Sequence, residues 1–170
     1  MKKSLLRLYS PVAALVVLLA LAACNAEVCL DRKSSIMTVS FYAFGDTTMR
    51  VRIDSLTVYG IGQPADSLLL DKLSVSSFQG ALRSDRNATQ YVLHYEQTGL
   101  NPRYSHDTLT FVYHAYVEFE TAECGAIYNY VIDEFRYTTW QIIGAEMRTA
   151  EIDNHETENV RLYYYVPETE

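Results

Sequence analysis

Alternation of apolar and polar side chains is the feature that most limits what this chain can fold into. Within Ser34 to Phe44, Met37, Val39, Phe41 and Ala43 fall on one face, and Thr38, Ser40 and Tyr42 on the other. A two-residue period belongs to a strand, whose successive side chains point to opposite faces, and not to a helix. Met49-Arg50-Val51-Arg52-Ile53 alternates in the same way, with both arginines outward. Further strands are expected at 56–59, 67–70, 89–95, 109–119, 126–137, 141–147 and 160–166, rich in β-branched and aromatic residues. Turn signals separate them at Gly45-Asp46, Gly60 to Asp66, Gly80, Arg83 to Asn87 and Gly99 to Pro102. From Asp133 to Glu151 a bent strand and a short helix fit equally well. Short strands without a long helical pattern give an all-β expectation: a single immunoglobulin-like β-sandwich over residues 34–170.

Before the sandwich comes a leader. Lys2, Lys3 and Arg7 precede an apolar run from Val12 to Leu21, which ends in Leu21-Ala22-Ala23-Cys24. The apolar run is shorter than the ~20 residues that cross a bilayer, and it ends in small residues and not in a basic flank. Residues 1–23 therefore read as a lipoprotein signal peptide. Cys24 is the lipidation site, because its thiol takes a diacylglyceryl group before cleavage frees its amine. Residues 24–33 form a tether. Each buried CH₂ of an acyl chain contributes about 0.8 kcal/mol, so two or three chains hold firmly to a membrane. Asn25, in place of Asp, favours the outer membrane, with the periplasmic face preferred over the cell surface.

Of the 14 basic residues three leave with the leader, and none of the 21 acidic ones does. The remainder carries 11 against 21, a charge of −10. That balance argues against nucleic acid, whose phosphates demand basic patches.

With Cys24 spent, Cys29 and Cys124 remain as an even pair in an oxidising compartment. A bridge would close a loop of roughly 95 residues, contributing about 4–5 kcal/mol in the chain-entropy account. Two buried free thiols and one nucleophilic cysteine are the alternatives, although no His or Asn signature flanks either position.

Asp54-Ser55-Leu56, Asp66-Ser67-Leu68 and Asp107-Thr108-Leu109 share one pattern, with Asp46-Thr47-Thr48 a looser match. One reading is a turn-to-strand entry, in which Asp bonds back to the backbone and Leu begins the buried face. The other is O-glycosylation at Thr47, Ser55, Ser67 or Thr108, because the triplets resemble periplasmic acceptor sequences of Bacteroides-like bacteria. Both readings can hold together.

Tyr113, Val117-Glu118-Phe119, Glu123-Cys124-Gly125 and Tyr128-Asn129-Tyr130 resemble a pattern in uncharacterised small lipoproteins of Bacteroidota. The tail Asn159-Val160-Arg161-Leu162-Tyr163-Tyr164 is similar to that family's closing strand. The chain departs from the pattern at Glu120-Thr121-Ala122. The resemblance implies compartment and fold but no mechanism, and it implies an outer-membrane β-barrel protein as partner. Pairing of Cys29 with Cys124 across the family would favour the structural bridge.

Chemistry is sparse. His94, His106, His114 and His155 lack metal-ligand spacing. No nucleophile elbow, phosphate-cradling glycine loop or dinucleotide fingerprint occurs. Glu118 and Glu120 share a strand face and read as a solvated edge. No metal, cofactor or catalytic residue is expected, and the chain is read as non-enzymatic. Aromatic side chains are the remaining signal. Tyr128, Tyr130, Trp140, Tyr163 and Tyr165 are the candidate binding surface, since Tyr and Trp offer a flat apolar body with a polar tip. A fondness of strands for tyrosine explains the same residues without a ligand. The leading expectation is an accessory or interaction subunit at the outer membrane. The alternative is a glycan-binding lipoprotein using Tyr and Trp on one sheet face.

Overall fold

The computed structural model of the chain describes residues 35–62, 67–121, 125–155 and 157–166, with backbone alone at 120 and 121. The leader, Cys24, Cys29, Cys124, Asp66, Glu156 and the Glu120 side chain therefore lie outside what is described. So does the proposed bridge.

The strands described are β1 (Ile36–Ala43), β2 (Asp46–Arg50), β3 (Ile53–Gly60), β4 (Leu68–Val75), β5 (Ser77–Ala81) and β6 (Ala88–Tyr95). After a short 3-10 turn at Pro102–Tyr104 come β7 (His106–Thr121), β8 (Gly125–Tyr137), β9 (Ile142–Met147), β10 (Glu151–Ile152) and β11 (Glu158–Tyr164). One sheet runs β2-β1-β11-β9, and β5 also pairs with β1; the other runs β10-β8-β7-β6-β3-β4. β1 and β11 pair in parallel, from Thr38 opposite Glu158 to Ala43 opposite Tyr164. The first and last strands of the domain thus lie side by side.

The two sheets bury their alternating faces against each other, so the expected sandwich is the architecture observed. Met37, Val39 and Phe41 of β1 and Val160, Leu162 and Tyr164 of β11 supply one side of the core. Leu56, Val58, Leu93, Leu109, Phe111 and Tyr113 supply the other. Full burial of such side chains contributes about 1.5–3 kcal/mol each relative to exposure. Aromatic rings join the layers edge to face: Phe78 to Tyr91 at 6.0 Å and 68°, and Tyr95 to Tyr164 at 6.1 Å and 73°. The positive edge of one ring on the negative face of another favours that geometry.

The segment from Met49 to Ile53 is not one strand. β2 ends at Arg50 in one sheet and β3 begins at Ile53 in the other, so the chain crosses between layers at Val51 and Arg52. Val51 is still buried between two exposed arginines, which is why the alternation survives the bend. Gly80 is not in a turn either. It sits within β5, where a Cβ would come 3.0 Å from the Tyr91 ring. β4 runs past the expected end to Val75; it is an edge strand, so its polar positions Asp71 and Lys72 face solvent and leave no apolar run in the sequence to mark it. The segment after Asp133 is strand throughout its ordered pieces, in β8, β9 and β10.

Candidate functional site

The five aromatic residues expected to share a surface do not share one. Tyr130 is 6% exposed and packs its ring at 5.6 Å and 90° against Tyr113, so it belongs to the core. Tyr163 is half-buried, and its hydroxyl donates to Oε2 of Glu146 at 2.8 Å. Tyr165 is exposed beside a cleft of about 360 Å³ that Met49, Arg50 and Arg52 also line. Both guanidinium groups there are already engaged, Arg50 with Glu158 at 3.3 Å and Arg52 with the Ser74 carbonyl. Tyr128 and Trp140 lie in two further places, each with its own geometry.

Tyr128 stands on an arm. β6 pairs with β7 only as far as Val112, and β10 meets β8 only at Val131 and Tyr130. Beyond that point β7 and β8 run on as a two-stranded ribbon, with Val117 opposite Tyr128 and Phe119 opposite Ala126. Val117 and Phe119 continue, at every second residue, the face that is core at Leu109, Phe111 and Tyr113. Here no second sheet covers it. Val117 is 58% exposed, Phe119 67% and Tyr128 51%, so a contiguous apolar row faces solvent. On the ribbon's other face, Asn129 is fully buried: it accepts the Ser35 hydroxyl at 2.6 Å and donates to Glu118 Oε2, also at 2.6 Å. Glu118 is thus an exposed carboxylate used for structure.

Trp140 stands in the loop between β8 and β9, and a buried carboxylate holds that loop. Asp107 is fully buried at the start of β7. Its Oδ1 accepts the Thr138 hydroxyl at 2.6 Å and the Trp140 N–H at 2.9 Å. Its Oδ2 accepts the N–H groups of Gln141 at 2.8 Å and Ile142 at 3.0 Å, and the Tyr95 hydroxyl at 3.2 Å. A buried charge survives only when hydrogen bonds replace its water, and this one has five donors. The Tyr95 hydroxyl lies 3.0 Å from that of Tyr164, which extends the network into the opposite sheet. Burial, followed by the charges of Tyr164 and Asp107, raises the Tyr95 pKa well above that of a free phenol. Trp140 itself is 52% exposed, and its ring lies 5.1 Å from that of Tyr104 at 44°. Sequence reasoning missed Tyr104 and the role of Asp107.

The four hydroxyl positions differ in access. Thr47 is exposed on β2, and beside it Asp46 accepts the Thr48 N–H at 2.9 Å, the bond expected of a turn-to-strand entry. Ser55, Ser67 and Thr108 are half-buried, and Asp107 next to Thr108 is committed to the loop.

His94 and His106 stack across β6 and β7, ring centroids 4.0 Å apart and 7° from parallel. The Ser105 hydroxyl lies 2.9 Å from Nδ1 of His106. Burial first, and the neighbouring His94 second, lowers the His106 pKa. His114 pairs with Asp133 at 3.0 Å. Among the described residues no group of three or more metal-ligating side chains comes together.

A family model described as a family of unknown function, DUF6452, matches residues 55–164, from β3 to the end of β11. No curated protein and no solved structure matches the chain.

Proposed function

The chain belongs to the DUF6452 family of unknown function, and we propose that it is a non-enzymatic lipoprotein of the outer membrane, anchored through Cys24. Its folded domain acts as an interaction subunit whose partner is a β-barrel protein of the same membrane. The observation that carries this reading is the uncovered row of Val117, Phe119 and Tyr128 on the β7–β8 arm. An apolar row held on paired strands is shaped to be covered by another protein, with rigid aromatic side chains as anchors. The acidic balance of the chain keeps nucleic acid out of the picture. The leader at residues 1–23 and a Cys29–Cys124 bridge belong to the same proposal.

Photo-cross-linking from Val117 and Phe119 in living cells tests the docking surface. One barrel protein captured from both positions, and not from Gln90 on another strand, supports it. Cross-links spread over many abundant proteins would remove it. Incorporation of an alkyne fatty acid, abolished by Cys24→Ala, tests the anchor. Thiol labelling of the unfolded, unreduced protein tests the bridge: two open thiols would exclude it.

A further inference from the structure

We infer that Trp140 and Tyr104 form a carbohydrate subsite that takes the apolar face of a pyranose ring. The site lies apart from the arm and does not depend on the docking reading. Large aromatic side chains are usually well buried, yet both of these are open to solvent in a domain with an ample core. Their rings are 5.1 Å apart and inclined at 44°, which makes an angled platform and not a closed stack. A sugar offers C–H groups to such a platform and keeps its hydroxyls at the rim.

The platform is held before any ligand arrives. Asp107 takes the N–H groups of Trp140, Gln141 and Ile142 together with the Thr138 hydroxyl, so the loop has little freedom left to lose. The turn bearing Tyr104 starts at Pro102 and is capped by Asn101, whose Oδ1 accepts the Arg103 N–H at 3.0 Å. Gln141 Nε2 then donates to the Tyr104 carbonyl at 2.9 Å and ties the two segments to each other. Ordering costs are a main debit in binding, and here folding has already met them. The Arg103 guanidinium lies over the Tyr104 ring, 5.9 Å from its centre, on one side of the platform, and among the described residues no carboxylate pairs with it. It supplies a fork of donors for sugar hydroxyls or a uronate. Two aromatic faces and a nearby donor fork are what a saccharide needs, whereas a docking protein would ask for a wider apolar area.

The chain contains one tryptophan, so its emission reports this site alone. The full chain in mild detergent is titrated with a soluble β-glucan, a mannan and a polygalacturonate. At least one should shift the emission saturably and shield Trp140 from iodide. Tyr104→Ala should weaken that binding by roughly tenfold or more, with an unchanged melting curve. Phe119→Ser on the arm should leave it intact, which separates this site from the docking surface. If none of the three polymers alters emission or quenching, or if Tyr104→Ala binds like the parent, the inference is wrong.

Discussion

The backbone N–H of Trp140 donates to Oδ1 of Asp107 at 2.9 Å, and this bond joins the chain's single, half-exposed tryptophan to a fully buried carboxylate. Replacing Asp107 with alanine leaves the N–H groups of Trp140, Gln141 and Ile142 without that acceptor. Each buried donor left unpaired costs about 1–3 kcal/mol, less where water can enter. A loss of at least about 3 kcal/mol is expected, read as a lower midpoint in urea with an unchanged slope. A midpoint within error of the parent would mean that the loop stands without its carboxylate.

Tyr164 lies one step further along the same network. Tyr164→Phe keeps the ring against Phe41, which it meets at 5.6 Å and 78°, and deletes only the hydroxyl beside Tyr95. The expected cost is about 1 kcal/mol. Equilibrium unfolding of Tyr164→Phe, Tyr95→Phe and the double variant gives the coupling between them. Additive effects would show that the two hydroxyls do not work as a pair.

Acid should loosen the outer face of the larger sheet through His106. Burial and the nearby His94 depress its pKa in the folded protein, while the unfolded chain titrates at about 6.5. Between those values the unfolded state holds the extra proton. The folded state therefore has its full stability above about pH 6.5 and loses some as pH falls toward the depressed value. His106→Gln removes this part, so its stability at pH 5 relative to pH 7.5 should drop less than the parent's. Equal drops would assign the acid sensitivity to other groups.

Gly80 is fixed by contact and not by chain reversal. A methyl group there would sit 3.0 Å from Cε2 and Cζ of Tyr91, whose hydroxyl donates to the Ala81 carbonyl. Gly80→Ala should destabilise by about 1–3 kcal/mol. Gly80→Ala combined with Tyr91→Phe should cost less than the sum of the two, because a ring no longer tethered by its hydroxyl to the Ala81 carbonyl can yield.

These contacts mark where the sequence stops being readable. The two-residue period of β1 and β11 declares the set that faces the other sheet, but not that Ser40, Tyr42 and Asn159 on the opposite phase are buried as well. The same period runs without a break from Leu109 to Phe119, and nothing in it signals that the opposite sheet ends before Val117. Tyr128 and Tyr130 share a strand face for the same reason, yet one is open and the other sealed by Tyr113. Burial changes along a strand, whereas alternation reports only across it. Asp107 carries a usable signal: it occupies the inward phase set by Leu109, Phe111 and Tyr113. A charge at a core position has to find partners. Those partners come from residues 138–142 and Tyr95, which are distant along the chain, so only the fold identifies them. Tyr104, exposed on a short turn, leaves no pattern at all.

Affinity purification from native membranes tests the proposed docking role of the arm. A C-terminally tagged, lipidated chain should bring down one outer-membrane β-barrel protein in near-equal amount, absent from an unrelated lipoprotein control. Phe119→Asp with Val117→Asp should lose that partner, while Trp140→Ala keeps it. A lipoprotein that comes down alone, or one whose partner survives both arm substitutions, would contradict the account.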